Sequence, residues 1–121
     1  MKTHPVATAL ASAVADRAPD RLGAQLDDEV RLRALLPADQ IEEQGRQAVL
    51  ERFDTWFGEH DTVQLADVAG DEVGDRVLVH YKLLVNAERE PRVVSQTAVC
   101  SMRDGRVSRI DLVCSGYREL S

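Results

Sequence analysis

The chain has 121 residues, 44% hydrophobic and 30% charged, which suits one globular domain with enough length to bury a core. Its net charge of −6 sets it against a phosphate backbone, and the 15 basic residues lie scattered among acidic neighbours, so nucleic acid is not an expected partner. No stretch approaches the roughly 20 apolar residues that span a bilayer. The 2 cysteines are too few for a disulfide scaffold, so the expected location is cytoplasmic, away from membranes.

Pro5 fits the first turn of a helix, with Thr3 or His4 as cap. Val6, Leu10, Ala13 and Val14 then share one helical face. Asp16 and Arg17 interrupt this Ala-rich run, which therefore reads as a helix and not as a signal peptide. Pro19 ends it, and Asp20 is placed to cap a short second helix through Leu26. After Asp27-Asp28 the period changes: Val30, Leu32 and Ala34 alternate with Arg31, Arg33 and Leu35, which predicts a strand that Pro37 stops. Arg31 and Arg33 form a solvated strip or pair with Glu29 and Asp28. Glu42-Glu43 reads as an exposed acidic start to a helix.

Gly45 opens a third helix whose Val49, Phe53, Trp56 and Phe57 make an apolar stripe, and Gly58 closes it. From Thr62 the chain reads as strands. Val63 to Ala69 leads through a turn at Gly74-Asp75 to Val77–Asn86, then to Arg92–Arg103. Asp104-Gly105 signals a two-residue hairpin into Val107–Cys114. The whole chain, 1–121, is expected to form one α+β domain with helices on one face of a curved antiparallel sheet.

Val77, Val79, Tyr81 and Leu83 form one face of their strand; Leu78, His80, Lys82 and Leu84 form the other. A sheet covered by helices on one side needs only one apolar face, so the second predicts a homodimer through the outer sheet face. Strict alternation through the hairpin puts Cys114 opposite Cys100. A bulge near Ser108-Arg109 would return Ile110, Leu112 and Cys114 to the inner face.

Three phrases in order resemble a known family. Leu26-Asp27-Asp28-Glu29-Val30, Gly45-Arg46-Gln47-Ala48-Val49 with Phe53 and Trp56, and Arg103-Asp104-Gly105-Arg106-Val107 are similar to segments of nuclear transport factor 2-like proteins. Within them the chain most resembles the SnoaL-like polyketide cyclases and ketosteroid isomerase relatives, from about Val6 to Cys114. The resemblance implies a cone-shaped α+β roll, a pocket between helices and sheet, frequent dimers, and acid–base chemistry without a cofactor. Ketosteroid isomerases use a carboxylate base, a tyrosine and a protonated acid. Laid over this chain, the tyrosine falls at Leu10, the base at Ala34 (or Arg33 one register away) and the second acid at Ala98. None can serve, so the catalytic residues are left unassigned.

The residues expected to line the pocket, and so to touch a small apolar metabolite, are Leu10, Trp56, Tyr81, Gln96, Cys100 and Met102. Tyr81 either donates to a ligand carbonyl or is a core tyrosine whose hydroxyl reaches solvent or backbone. Gln96 offers a donor and an acceptor to a ligand or within the sheet. Cys100 lacks a neighbouring base and reads as a small hydrophobe. Asp67 shares a strand face with Val63 and Leu65, either near the apolar face or solvated at a strand bend. No residue set has metal-ligand spacing. Two functions follow: a cofactor-free cyclase or isomerase acting on a mostly apolar metabolite such as a polyketide-type intermediate, or a non-catalytic binding or accessory dimer.

Overall fold

His4 starts the first helix, α1 (Pro5–Ala15): its Nδ1 accepts from the Val6 amide at 3.1 Å, and Pro5 occupies the first turn without wasting a donor. The computed structural model describes residues 4–120, so the alternative cap Thr3 lies outside the described residues. A short α2 (Pro19–Ala24) follows, then β1 (Leu26–Leu36) and β2 (Asp39–Gln44), then α3 (Arg46–Phe57). Four long strands complete the fold, β3 (Val63–Val73), β4 (Arg76–Val85), β5 (Arg92–Arg103) and β6 (Arg106–Cys114), with a two-residue β7 (Arg118–Glu119). The sheet order is β2-β1-β6-β5-β4-β3, with β7 on β5. The sheet is curved and unclosed, and the helices pack into its concave side. Every described pairing is antiparallel except β1 with β6, which the intervening helix and strands allow to run parallel.

Three sequence readings are corrected. Pro19 begins α2 instead of only ending α1, Ala18 is its cap, and Leu26 and Asp27-Asp28 already belong to β1. Glu42 and Glu43 lie in β2 and not at a helix start; Glu43 faces Arg52 of α3 at 2.6 Å and Glu42 faces Arg31 at 3.5 Å. Arg33 pairs with Asp111 of β6 at 3.0 Å, while Asp28 binds Arg46. The cause is common: a short charged strand has no apolar period to mark it, and cross-strand partners are distant in sequence.

Turn chemistry sets the register. Asp104 (φ 51°) and Gly105 (φ 80°) both take left-handed backbone, the two-residue turn that matches strand twist. Beyond it, Met102 faces Val107 while Ser101 faces Arg109, so Ser108 is the extra residue of a bulge. That bulge turns Ile110 and Leu112 inward, where each is under 5% exposed. A second bulge at Ala66 separates Leu65, opposite Leu83, from Asp67, opposite Lys82. It carries Asp67 to the outer face, away from Leu65, correcting the shared face read from alternation. Gly70 lets α1 lie close on β3, since a Cβ there would collide with Ala7.

The core runs continuously from Ala7, Leu10 and Val14 of α1 through Val49, Phe53 and Phe57 of α3 to the inner faces of β1, β4, β5 and β6. Each large apolar side chain buried there contributes about 1.5–3 kcal/mol.

Candidate functional site

Between the helices and the concave sheet face lies a cavity of only about 20 Å³. It is walled by Leu10, Val14, Leu22 and Phe53 above and by Val79, Tyr81, Ala98, Cys100, Ile110 and Leu112 below. A volume of this size holds one water at most. Three of the six expected lining residues, Leu10, Tyr81 and Cys100, face this space. Gln96 is 1% exposed and stands behind Tyr81, whose hydroxyl donates to Gln96 Oε1. Trp56 and Met102 are half-buried against the core and outside the cavity wall. Trp56 lies edge-on to Phe53 and Phe57, with ring centroids 5.2 and 6.2 Å away, and so braces α3. Helical spacing alone could not separate a residue facing the cavity from its neighbour on the same stripe.

Among the described residues, a short polar relay runs from Tyr81 of the wall to the residues behind it. Gln96 spends its oxygen on Tyr81 and donates through Nε2 to Cys114 Sγ at 3.4 Å; the Gly116 amide donates to the same sulfur at 3.5 Å. Buried polar groups need such partners, and these have found them inside the chain. Burial, with lesser contributions from Cys100 and Cys114, pushes the Tyr81 phenol well above its ordinary range. It is therefore a neutral donor, not a base. Burial and then the nearby Asp111 push the Cys100 thiol up to about 12, which removes it as a nucleophile. Leu10 and Ala98 line the cavity, and Ala34 is buried while Arg33 is exposed, so no carboxylate occupies those positions.

The sequence contains a second polar cluster that its pattern did not explain. Gly116 (φ 73°) turns the chain between β6 and β7, and Tyr117 between them reaches the end of α3. The Tyr117 hydroxyl donates to the Trp56 carbonyl and lies 2.9 Å from His60 Nε2. His60 Nδ1 is 3.2 Å from Asn86 Nδ2, and the Asp61 amide donates to Asn86 Oδ1 at 3.0 Å. The segment is a strap tying the β6 end to the α3 and β4 ends.

A larger depression of about 330 Å³ lies outside the cone, between the α1–α2 turn and α3. Val14, Leu22 and Phe53 line both spaces and are the partition between them. Among the described residues, no group of three or more His, Cys, Asp or Glu side chains is arranged to hold a metal ion, and no helix is long and apolar enough to cross a membrane.

Comparison with solved structures gives the same fold. A Catenulispora acidiphila protein with a ketosteroid isomerase-like fold, solved in complex with trimethylamine, is similar with a TM-score of 0.75 and 16% identity, over 95% of this chain and 88% of that one. An isomerase so named from Rhodopseudomonas palustris is similar with a TM-score of 0.68 and 23% identity, over 94% and 91%. A protein named as a polyketide cyclase from Xanthomonas campestris is similar with a TM-score of 0.70 and 21% identity, over 89% and 86%. The search of curated proteins found no match. Residues 7–110 match the SnoaL-like domain, and on that match, which spans most of the chain, the protein belongs to the SnoaL-like family.

Proposed function

We propose that this chain binds a small, mostly apolar molecule carrying one hydrogen-bond acceptor, and that it acts on it as a cofactor-free cyclase or isomerase. The observation that supports this reading is Tyr81, a hydroxyl-bearing side chain on a cavity wall that is otherwise apolar among the described residues, bonded to Gln96 just outside that lining. A ligand carbonyl replacing Gln96 Oε1 would take the Tyr81 proton donor, and the freed amide would remain beside it. With no carboxylate or imidazole on the wall among the described residues, rate enhancement would come from holding a reactive conformer and polarising its carbonyl. The cavity must open to admit such a ligand, so apparent affinity is reduced by the population of the open state.

The test is a matched pair of ligands, an aromatic ketone and the hydrocarbon of the same shape. The ketone should raise the melting temperature more than the hydrocarbon, and Tyr81→Phe should abolish that difference. Equal effects of both ligands on wild-type protein would remove Tyr81 from the role. Turnover of a substrate unchanged by Tyr81→Phe with Gln96→Ala would remove the catalytic assignment.

A second reading, a non-catalytic binding or accessory homodimer, is favoured by the outer sheet face. There Leu35, Val99 and Val113 are 53%, 38% and 56% exposed, and cross-strand pairing sets Leu35 beside Val113 and Leu78 beside Val99. A second copy would cover this band. Native mass spectrometry should show a dimer that Val113→Lys with Val99→Lys dissociates; a wild-type monomer would defeat the interface.

A further inference from the structure

The depression between the α1–α2 turn and α3 has the size of a small-ligand site, about 330 Å³, whereas the cavity inside the cone has not. Its floor is apolar: Val14, Leu22 and Phe53 are buried beneath it and Leu50 is half-buried. Its rim is acidic on both sides, with Asp20 contributed by α2 and Glu51 and Asp54 by α3. The Asp20 and Asp54 side chains have no hydrogen-bond or ion-pair partner among the described residues, and Glu51 meets only the Gln47 amide at 3.4 Å. The one basic residue of the rim, Arg17, donates through its guanidinium to the His60 carbonyl.

These facts discriminate between classes of occupant. An anion would meet three carboxylates against one engaged guanidinium. A neutral apolar molecule would cover the floor but strip water from Asp20 and Asp54 without replacing it, which is costly for a charge. A cation with an apolar body satisfies both surfaces: its hydrocarbon part covers Val14, Leu22 and Phe53 while its ammonium stands between the two unpaired carboxylates. We infer that this depression is a binding site for a monoamine of that type, an ammonium group on a short aryl or alkyl body. The site lies outside the cone, is assembled from the three helices and the α1–α2 turn, and does not depend on the role assigned to Tyr81.

The experiment is an amide-resolved NMR titration of the whole chain with 2-phenylethylamine, 2-phenylethanol and 3-phenylpropionate at low salt. The amine should shift the amides of Arg17, Asp20, Glu51 and Asp54 saturably. It should bind about fivefold or more tighter than the alcohol, with the propionate weakest. Added salt should narrow the preference. The paired substitution Asp20→Asn with Asp54→Asn, both at exposed positions that leave the fold intact, should equalise amine and alcohol. Equal binding of the two by the wild type, shifts centred on Tyr81 and β4, no saturable shift, or a preference that survives the paired substitution would each overturn the site.

Discussion

The inside of the cone and the depression on its helical flank share three side chains, Val14, Leu22 and Phe53, yet differ in every other respect. The inner space is almost filled, neutral, and supplied with one satisfied polar pair. The outer one is roomy, open, and rimmed by charges of which Asp20 and Asp54 have no partner among the described residues. The difference teaches that this member of the family has separated room from chemistry. The place with a positioned donor has little volume, and the place with volume has charges but, among the described residues, no buried polar side chain. Phe53, at 7% exposure, is the wall on which that separation rests.

The sharpest test of the inner surface is chemical. At pH 8 the native Cys100 thiol should react with iodoacetamide on the order of a thousandfold more slowly than an ordinary thiol, because burial holds it protonated and inaccessible. Mass spectrometry of peptides should find Cys114, which is half-buried, labelled first, and both labelled in denaturant. Rapid native labelling of Cys100 would mean that the cone opens freely and that the two spaces are one.

The next largest effect should come from Phe53→Ala. It removes the partition, costs about 3–5 kcal/mol in urea unfolding, and merges the cavity with the depression. Binding of an apolar fluorescent dye should rise with it. A loss well under 2 kcal/mol would show that the helices collapse onto the gap.

Tyr81→Phe is smaller. It leaves Gln96 Oε1 buried without its donor and should cost about 1–3 kcal/mol. Adding Gln96→Leu should recover part of that loss, and a double-mutant cycle would measure the coupling. Additive losses would show that the pair contributes nothing beyond its separate packing.

The least effect is expected on the outer face, where charges are wet. Burial alone would raise the Asp111 carboxyl, but hydrogen bonds from Arg33 and Arg109, at 3.0 Å each, outweigh it and lower it. A depressed carboxyl contributes stability that is present above the unfolded value near 3.9 and is lost as pH falls through the folded one. Asp111→Asn should therefore flatten the acid limb of the stability–pH curve. The change at neutral pH should stay within about 1 kcal/mol, since the pair is more than a third exposed.

Much of this arrangement is legible in the residues. The period of Val77, Val79, Tyr81 and Leu83 fixes the buried face of β4, and Asp104-Gly105 fixes the hairpin that aligns β5 with β6. Gln96 and Cys100 follow onto the inner face by alternation, and the Ser108 bulge is demanded by Ile110 and Leu112 being apolar. Other features have no local signature. The bulge at Ala66 that sends Asp67 outward interrupts a strand with apolar residues on both sides of it, and β2 is too short and charged to show a period. The Tyr117–His60–Asn86 strap joins residues up to 57 positions apart in sequence.

The sequence by itself determined the α+β order, the inward faces of β4 and β5, and the absence of ionisable groups at Leu10, Ala34 and Ala98, because periodicity and residue type are local properties. Tertiary structure alone decided how much space those faces enclose and which polar groups find each other. Cavity volume is a small difference between the span of the sheet and the summed volume of side chains from six elements. Tyr81 meets Gln96 because the β4–β5 register sets them opposite each other, and Asp20 and Asp54 stand unpaired above Val14 and Phe53 because of how the helices are set against one another; no single stretch of chain encodes either.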